Sequence, residues 1–380
     1  MFRLGAQLLI LVPLVGFFLM RETRLAPASL WENRWADFLS MNAQRSEQPA
    51  AVTLVEINTE SLNNHPWPWT PLDFALFFRS ANSFHPEVVA TDELLRWEPT
   101  QFAPAEQQKI SQYEKILREQ LLESGKVLLG ARLGMPADPD LIPPLEGVRG
   151  IRRVVGDPRL IPDFTAIEAH ASDEYRLSSA LGFTNLPAGA ASYHLVPLVL
   201  RYRGQVVPSF TLQAALMLEQ LTPDDVEVIV GEKIRLNDRV EIPIGATGRM
   251  RVDFGVPRAR CEFSDLLLSA EQASLGHATV VPRDLLTSRL LLLVPRDSGV
   301  RTLQLAGRKG SPGELFGAAV ATIHSRAFIR RAPVWVEWMC VGLATLALVD
   351  RDGVSGAPRF FQAARNAGIR PLVRAALALA

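Results

Sequence analysis

The chain has 380 residues, 48% hydrophobic and 21% charged, and its 40 basic and 40 acidic residues cancel. That composition excludes a disordered polymer, and the zero net charge gives no electrostatic case for nucleic acid. Cys261 and Cys340 lie far apart and form no CxxC pair, so neither a metal nor a redox framework is supported.

Residues 4–20, "LGAQLLILVPLVGFFLM", carry no charge; Arg3 precedes them, and Arg21 and Arg24 follow. As a helix, this run spans roughly 25 Å, just short of a hydrocarbon core. A retained anchor competes with a signal peptide cleaved at "APA" (26–28). The charged "RETR" between the run and that site favours the anchor, so residues 1–24 are read as membrane anchor. Arginines on both flanks leave its orientation weakly specified. A short amphipathic helix follows, with Leu30, Trp35 and Leu39 at helical spacing.

The β-branched run "AVTLVEIN" (51–58) predicts a buried strand, and "TESLNNHPWPWTP" a loop full of breakers. Residues 72–84 predict a helix whose apolar stripe is Leu72, Leu76 and Phe77. Residues 86–95 predict a strand ending at Asp92. This is a βαβ unit, whose strands are expected to be parallel. A helix over 104–125 turns Ile110, Tyr113, Ile116, Leu117 and Leu121 inward, and 126–133 make a third strand. Residues 134–176, rich in Pro, Asp and Gly, read as a long irregular excursion.

Beyond it come a strand, a turn at Gly204, a second short strand and a helix capped by Ser209. Residues 226–245 alternate and turn at Asn237 and Asp238, a hairpin pattern. A strand over 249–255, a helix over 262–269 capped by Ser264, an apolar strand over 289–297 and a helix over 311–333 complete the body. The expected fold is α/β: one large domain over 29–332, with a mostly parallel sheet and flanking helices.

Candidate chemistry is sparse. "HPWPWTP" presents Trp67 and Trp69 among three prolines, either as a platform for a ligand or as packing that pins the loop. Asp92 ends a strand where open α/β sheets place ligands. Asp92 and Arg96 hold a polar ligand on one reading, and Asp92 caps the next turn on another. Six histidines form no HxH or HExxH pattern. "GRKGSPGE" (307–314) lacks phosphate-loop spacing and reads as a turn before a helix that starts at proline. No cofactor is implied.

Three stretches, in this order, resemble the type-2 CHASE domain, a family of extracytoplasmic sensor modules in bacterial signalling proteins. They are "VTLVEINTESLNNHPWPWTPLDFALFFRSANSFHPEVVATDELL", "YHLVPLVLRYRGQVVPSFTLQAALML" and "RLLLLVPRDSG…SPGELFGAAVATIHSRAFIRRAPVW". Together they cover most of 29–340. The family's glycine at the end of the last strand is replaced near Pro295 and Arg296, and its Asp at the end of the helix after the anchor has a match in Asp37. The resemblance implies sensing without catalysis, an extracytoplasmic (periplasmic) domain on the bacterial inner membrane, and a small-molecule or envelope ligand of unknown identity. Homodimerisation is left open.

The run over 338–349 is too short to span a membrane alone, so 333–349 read as an incomplete second membrane helix. Residues 345–377 then resemble a segment of the polymerase-and-histidinol-phosphatase (PHP) domain of error-prone DNA polymerase III α subunits. Asp350 and Asp352 match its acidic motif. Arg374 and Ala376 replace its Gly and ligand Glu, and no HxH pair exists, so 350–380 read as a non-functional fragment. A gene fusion, a recombination scar and a damaged reading frame would each produce it. No kinase His box, nucleotide glycine loop or GGDEF-like run is present, so the expected function is a sensor without its output. The alternatives are a PHP-type metal-dependent phosphoesterase or polymerase-associated fragment, and a non-signalling secreted binding protein.

Overall fold

The computed structural model describes residues 49–329, apart from 65–66, 99, 101, 103, 137, 139–144, 146, 188–192, 238, 296–301 and 307. They fall within one compact unit, Asn33–Ile329. The expected anchor, the incomplete second membrane helix and the PHP-like tail lie outside the described residues. Among the described residues no helix is long and apolar enough to cross a membrane.

The first strand, β1 (Ala50–Ile57), is buried along nearly its whole length, as a central strand covered on both faces must be. The loop expected next contains a short helix, α1 (Thr59–Asn64), started by Asn58, whose Oδ1 accepts from the Ser61 amide at 2.8 Å. Helix α2 (Pro71–Asn82) opens on a capping box: Thr70 accepts from the Asp73 amide and Asp73 accepts from the Thr70 amide. Its buried face is Phe74, Phe77, Phe78 and Ala81, and Leu72 and Leu76 are only half-buried. The expected stripe of Leu72, Leu76 and Phe77 is thus rotated from the buried face, which Phe74 and Phe78, one turn apart, define.

Strand β2 (Val88–Thr91), helix α3 (Pro104–Glu123) and strand β3 (Val127–Gly134) follow. The stretch expected to be irregular is instead ordered into β4 (Arg153–Val155), β5 (Asp163–Phe164), β6 (Ala166–Ala169) and α4 (Asp173–Arg176). Segments of two to four residues carry too little periodicity to be read from sequence. After β7 (Ala180–Phe183) and β8 (Leu195–Pro197), strands β9 (Val199–Tyr202) and β10 (Gln205–Pro208) form a hairpin. Its two turn residues, Arg203 and Gly204, both have positive φ, the backbone a two-residue hairpin needs. Ser209 caps helix α5 (Phe210–Leu218), as expected.

The predicted single hairpin is a three-stranded meander, β11 (Val226–Ile229), β12 (Lys233–Leu236) and β13 (Val240–Pro243), whose second turn contains Asn237. Strand β14 (Arg249–Arg251) is shorter than expected. Strand β15 (Arg258–Glu262), not anticipated, runs directly into helix α6 (Phe263–Ser274). Ser264 therefore lies inside the first turn, and Glu262 holds the cap position. Strands β16 (Leu290–Pro295), β17 (Leu303–Leu305) and β18 (Arg308–Gly310) lead to α7 (Pro312–His324), capped by Ser311.

The main sheet runs β15-β1-β16-β2-β3-β6, with β7 also paired to β3. Every pairing in it is parallel except β3 with β6. The α/β, mostly parallel expectation holds, with one change of neighbour: β16, from late in the chain, sits between β1 and β2. Alternate residues sort to opposite faces. Val55, Ile57, Leu291 and Leu293 join a core with Phe77, Phe78, Leu117 and Phe263 from α2, α3 and α6. Leu54, Leu290 and Leu292 join another with Phe210 and Phe316 from α5 and α7. The small sheet β13-β12-β11-β4 contributes Val228, Ile234 and Ile242 to that second core. Helices α5 and α7 are consequently buried nearly all round.

Candidate functional site at the carboxyl edge of the sheet

The carboxyl ends of parallel strands gather at one edge, where backbone ends and loops leave room for function. Asp92 directly follows β2 at that edge. Its carbonyl passes so close to β3 that a Cβ on Gly130 would stand 2.4 Å from it, so only glycine fits there. The side chain turns toward the first turn of α7, and a Cβ on Gly313 would lie 3.2 Å from Asp92 Oδ1. The residue as a whole is half-buried, but Oδ1 is fully enclosed and has no hydrogen-bond partner.

Burial pushes the Asp92 carboxyl up to about 7, partly opposed by a hydrogen bond to its own backbone. Glu93 is pushed up to about 8, first by burial and then by the charge of Asp92, with Arg132 opposing. Two adjacent carboxyls in so dry a place favour holding a proton over carrying two charges.

A second cluster locks the start of α7 to the same edge. Arg260 of β15 donates to Glu56 at the end of β1 and, at 2.9 Å, to Glu314 in the first turn of α7. Arg308 donates to Glu314 at 3.3 Å. Both carboxylates are buried, while Arg260 and Arg308 reach solvent. Arg258 is pushed down to about 10 by burial and by the charges of Arg260 and Arg308, against Glu314 and Asp253.

Of the four residues singled out from sequence, Trp67 and Trp69 lie side by side. Trp69 is 1% exposed and packs on Phe263 and Phe74, with ring centroids 4.6 and 5.4 Å away. Trp67 is half-buried, 6.2 Å from Trp69. The Trp69 carbonyl accepts from Trp97 Nε1 at 2.8 Å, so the Pro-Trp loop is pinned into the core. Arg96 is exposed and does not reach the enclosed Oδ1 of Asp92. Sequence reading passed over Gly130, Gly313, Glu314 and Arg260, because their roles come from strands far apart in the chain. The one legible hint was "DE" at a strand end.

Among the described residues no cluster of three or more His, Cys, Asp or Glu is placed to hold a metal. Cys261 is buried and its thiol is pushed up to about 12, chiefly by burial, which makes it a poor nucleophile.

No curated protein and no solved structure matches the chain significantly. A family model, described as "CHASE2 domain", matches residues 9–349. The PHP-like tail lies beyond that match from residue 350 onward. With most of its length matched, the chain belongs to the CHASE2 family, whose members are extracytoplasmic sensory domains.

Proposed function

We propose that this chain is a non-catalytic signal-input module, held in the bacterial inner membrane by residues 1–24, with its α/β domain in the periplasm. The match to the CHASE2 family over 9–349 is the observation that carries this reading. The uncharged run over 4–20 supports the anchor. The output is carried by another polypeptide or by another stretch of this one.

Within the domain, we place the response at Asp92 and the start of α7. An enclosed carboxylate oxygen without a donor is costly, so any event that changes its charge or its neighbours shifts the packing of α7 against β1 and β16. Residues beyond α7 run toward the expected second membrane segment, which makes α7 the natural carrier of the signal.

The test is topology. The full chain is expressed in a Gram-negative host, its membranes are washed with alkaline carbonate, and spheroplasts are exposed to protease. The expected result is a chain that stays in the membrane and a domain cut as soon as the outer membrane is opened. Release by carbonate would remove the anchor, and protection of the domain in intact spheroplasts would remove the periplasmic placement.

A further inference from the structure

A cleft of about 340 Å³ lies between the loop around Val148, β7 and one side of α5. Its volume falls at the small end of the range for small-ligand sites, roughly 300–1,000 Å³. Leu181, Phe183 and Leu221 supply an apolar surface, while Arg149, Arg176 and Gln213 supply polar groups. No described carboxylate lines it.

The two arginines approach from different elements. Arg176 closes α4, and its Nη1 would stand 3.9 Å from a Cβ on Gly147, so its guanidinium lies against the loop that carries Arg149. Arg176 is already held by Asp173, its Nε 3.2 Å from Oδ1. Arg149 is exposed and, like the Gln213 side chain, takes no partner among the described residues. Two cations beside an apolar wall, one of them uncommitted, form a site that attracts negative charge and shelters carbon.

We propose that this cleft binds a small organic carboxylate with an apolar body. Arg149 takes the carboxylate, Gln213 adds a hydrogen bond, and the body rests on Phe183 and Leu181. The sensory reading gives the site its purpose, but the binding stands without it. The cleft also has a route to α7. It borders α5, where Phe210 packs on Phe316 of α7 with ring centroids 5.1 Å apart. On its other side Phe210 abuts β7 so closely that a Cβ on Gly182 would stand 2.8 Å from it. A ligand seated on β7 and α5 therefore leans on the helix that packs against α7, which we assign as the signal carrier.

The test is titration of the full chain in nanodiscs with benzoate and hexanoate, read by calorimetry and by ligand-observed NMR, with benzamide and inorganic phosphate as controls. The expected result is saturable binding of both carboxylates. Arg149→Ala is expected to weaken it at least tenfold, and Gln213→Leu less, with Tm unchanged in both variants. Binding of benzamide as tight as benzoate would overturn the role of charge. Phosphate as tight as benzoate would overturn the apolar wall. No binding of either carboxylate, or binding untouched by Arg149→Ala, would overturn the site. None of these results depends on where the domain sits, so a failure here is distinct from a failure of the topology test.

Discussion

Asp92 is the residue whose chemistry is most exposed to experiment. Its carboxyl is raised to about 7 in the folded chain by burial, against about 3.9 when unfolded. Below about pH 4 it is protonated in both states and costs nothing. As pH rises toward 7 the unfolded state loses the proton first, so stability falls, and above about 7 the loss is complete. At pH 8 the penalty is at most on the order of 4 kcal/mol. Asp92→Asn removes the charge and keeps the shape. The variant should match the wild type near pH 4 and melt several degrees higher near pH 8. Equal melting curves at pH 8 would show that the carboxylate has escaped to water. Trp69 tests the opposite kind of claim, since its ring fills the core between Phe263 and Phe74. Trp69→Ala should cost about 3–5 kcal/mol in urea unfolding. Trp67→Ala, at a half-buried ring, should cost well under half of that.

Helix α7 is held by close approach as much as by charge. A Cβ on Gly317 would stand 2.5 Å from Leu54 of β1, and one on Gly313 would stand 3.1 Å from Val294 of β16. These glycines let the helix lie on the sheet, while the Arg260 bonds to Glu56 and Glu314 set where it starts. Gly317→Ala should therefore destabilise by about 1–3 kcal/mol through overpacking, although alanine is the better helix former. Unfolding in urea with an unchanged slope checks it, and a stabilised variant would mean that α7 lies further from the sheet. The sequence announced this element well, because Ser311, Pro312 and a long apolar run are local signals. It said nothing of α7 being buried nearly all round, since that depends on β1, β16, β8 and α5, from distant parts of the chain, all packing on it. The same limit explains the candidate site. Asp92 was legible because a strand end is a local feature. Gly130 and Glu314 were not, because only pairing between distant strands brings them to that edge.

The order of the sheet ties the two ends of the domain together. Strands β1, β2 and β3 all lie before residue 135, yet β16 lies between β1 and β2, and β15 covers the far side of β1. A chain cut before β15 thus loses a central strand, an edge strand and helices α6 and α7 at once. The facing surfaces of Leu54, Val55, Val89 and Ala90 would be left without the neighbours that bury them. Burying one such side chain is worth roughly 1.5–3 kcal/mol, against a typical total of only about 5–15 kcal/mol for a domain. Residues 1–257 expressed alone should therefore aggregate or show no near-UV circular dichroism. Co-expression with 258–380 should restore a folded, membrane-bound complex that contains both pieces. A folded, monomeric 1–257 would mean that the N-terminal strands close on one another, with β1 beside β2, and that the late strand is an addition to a sheet already formed.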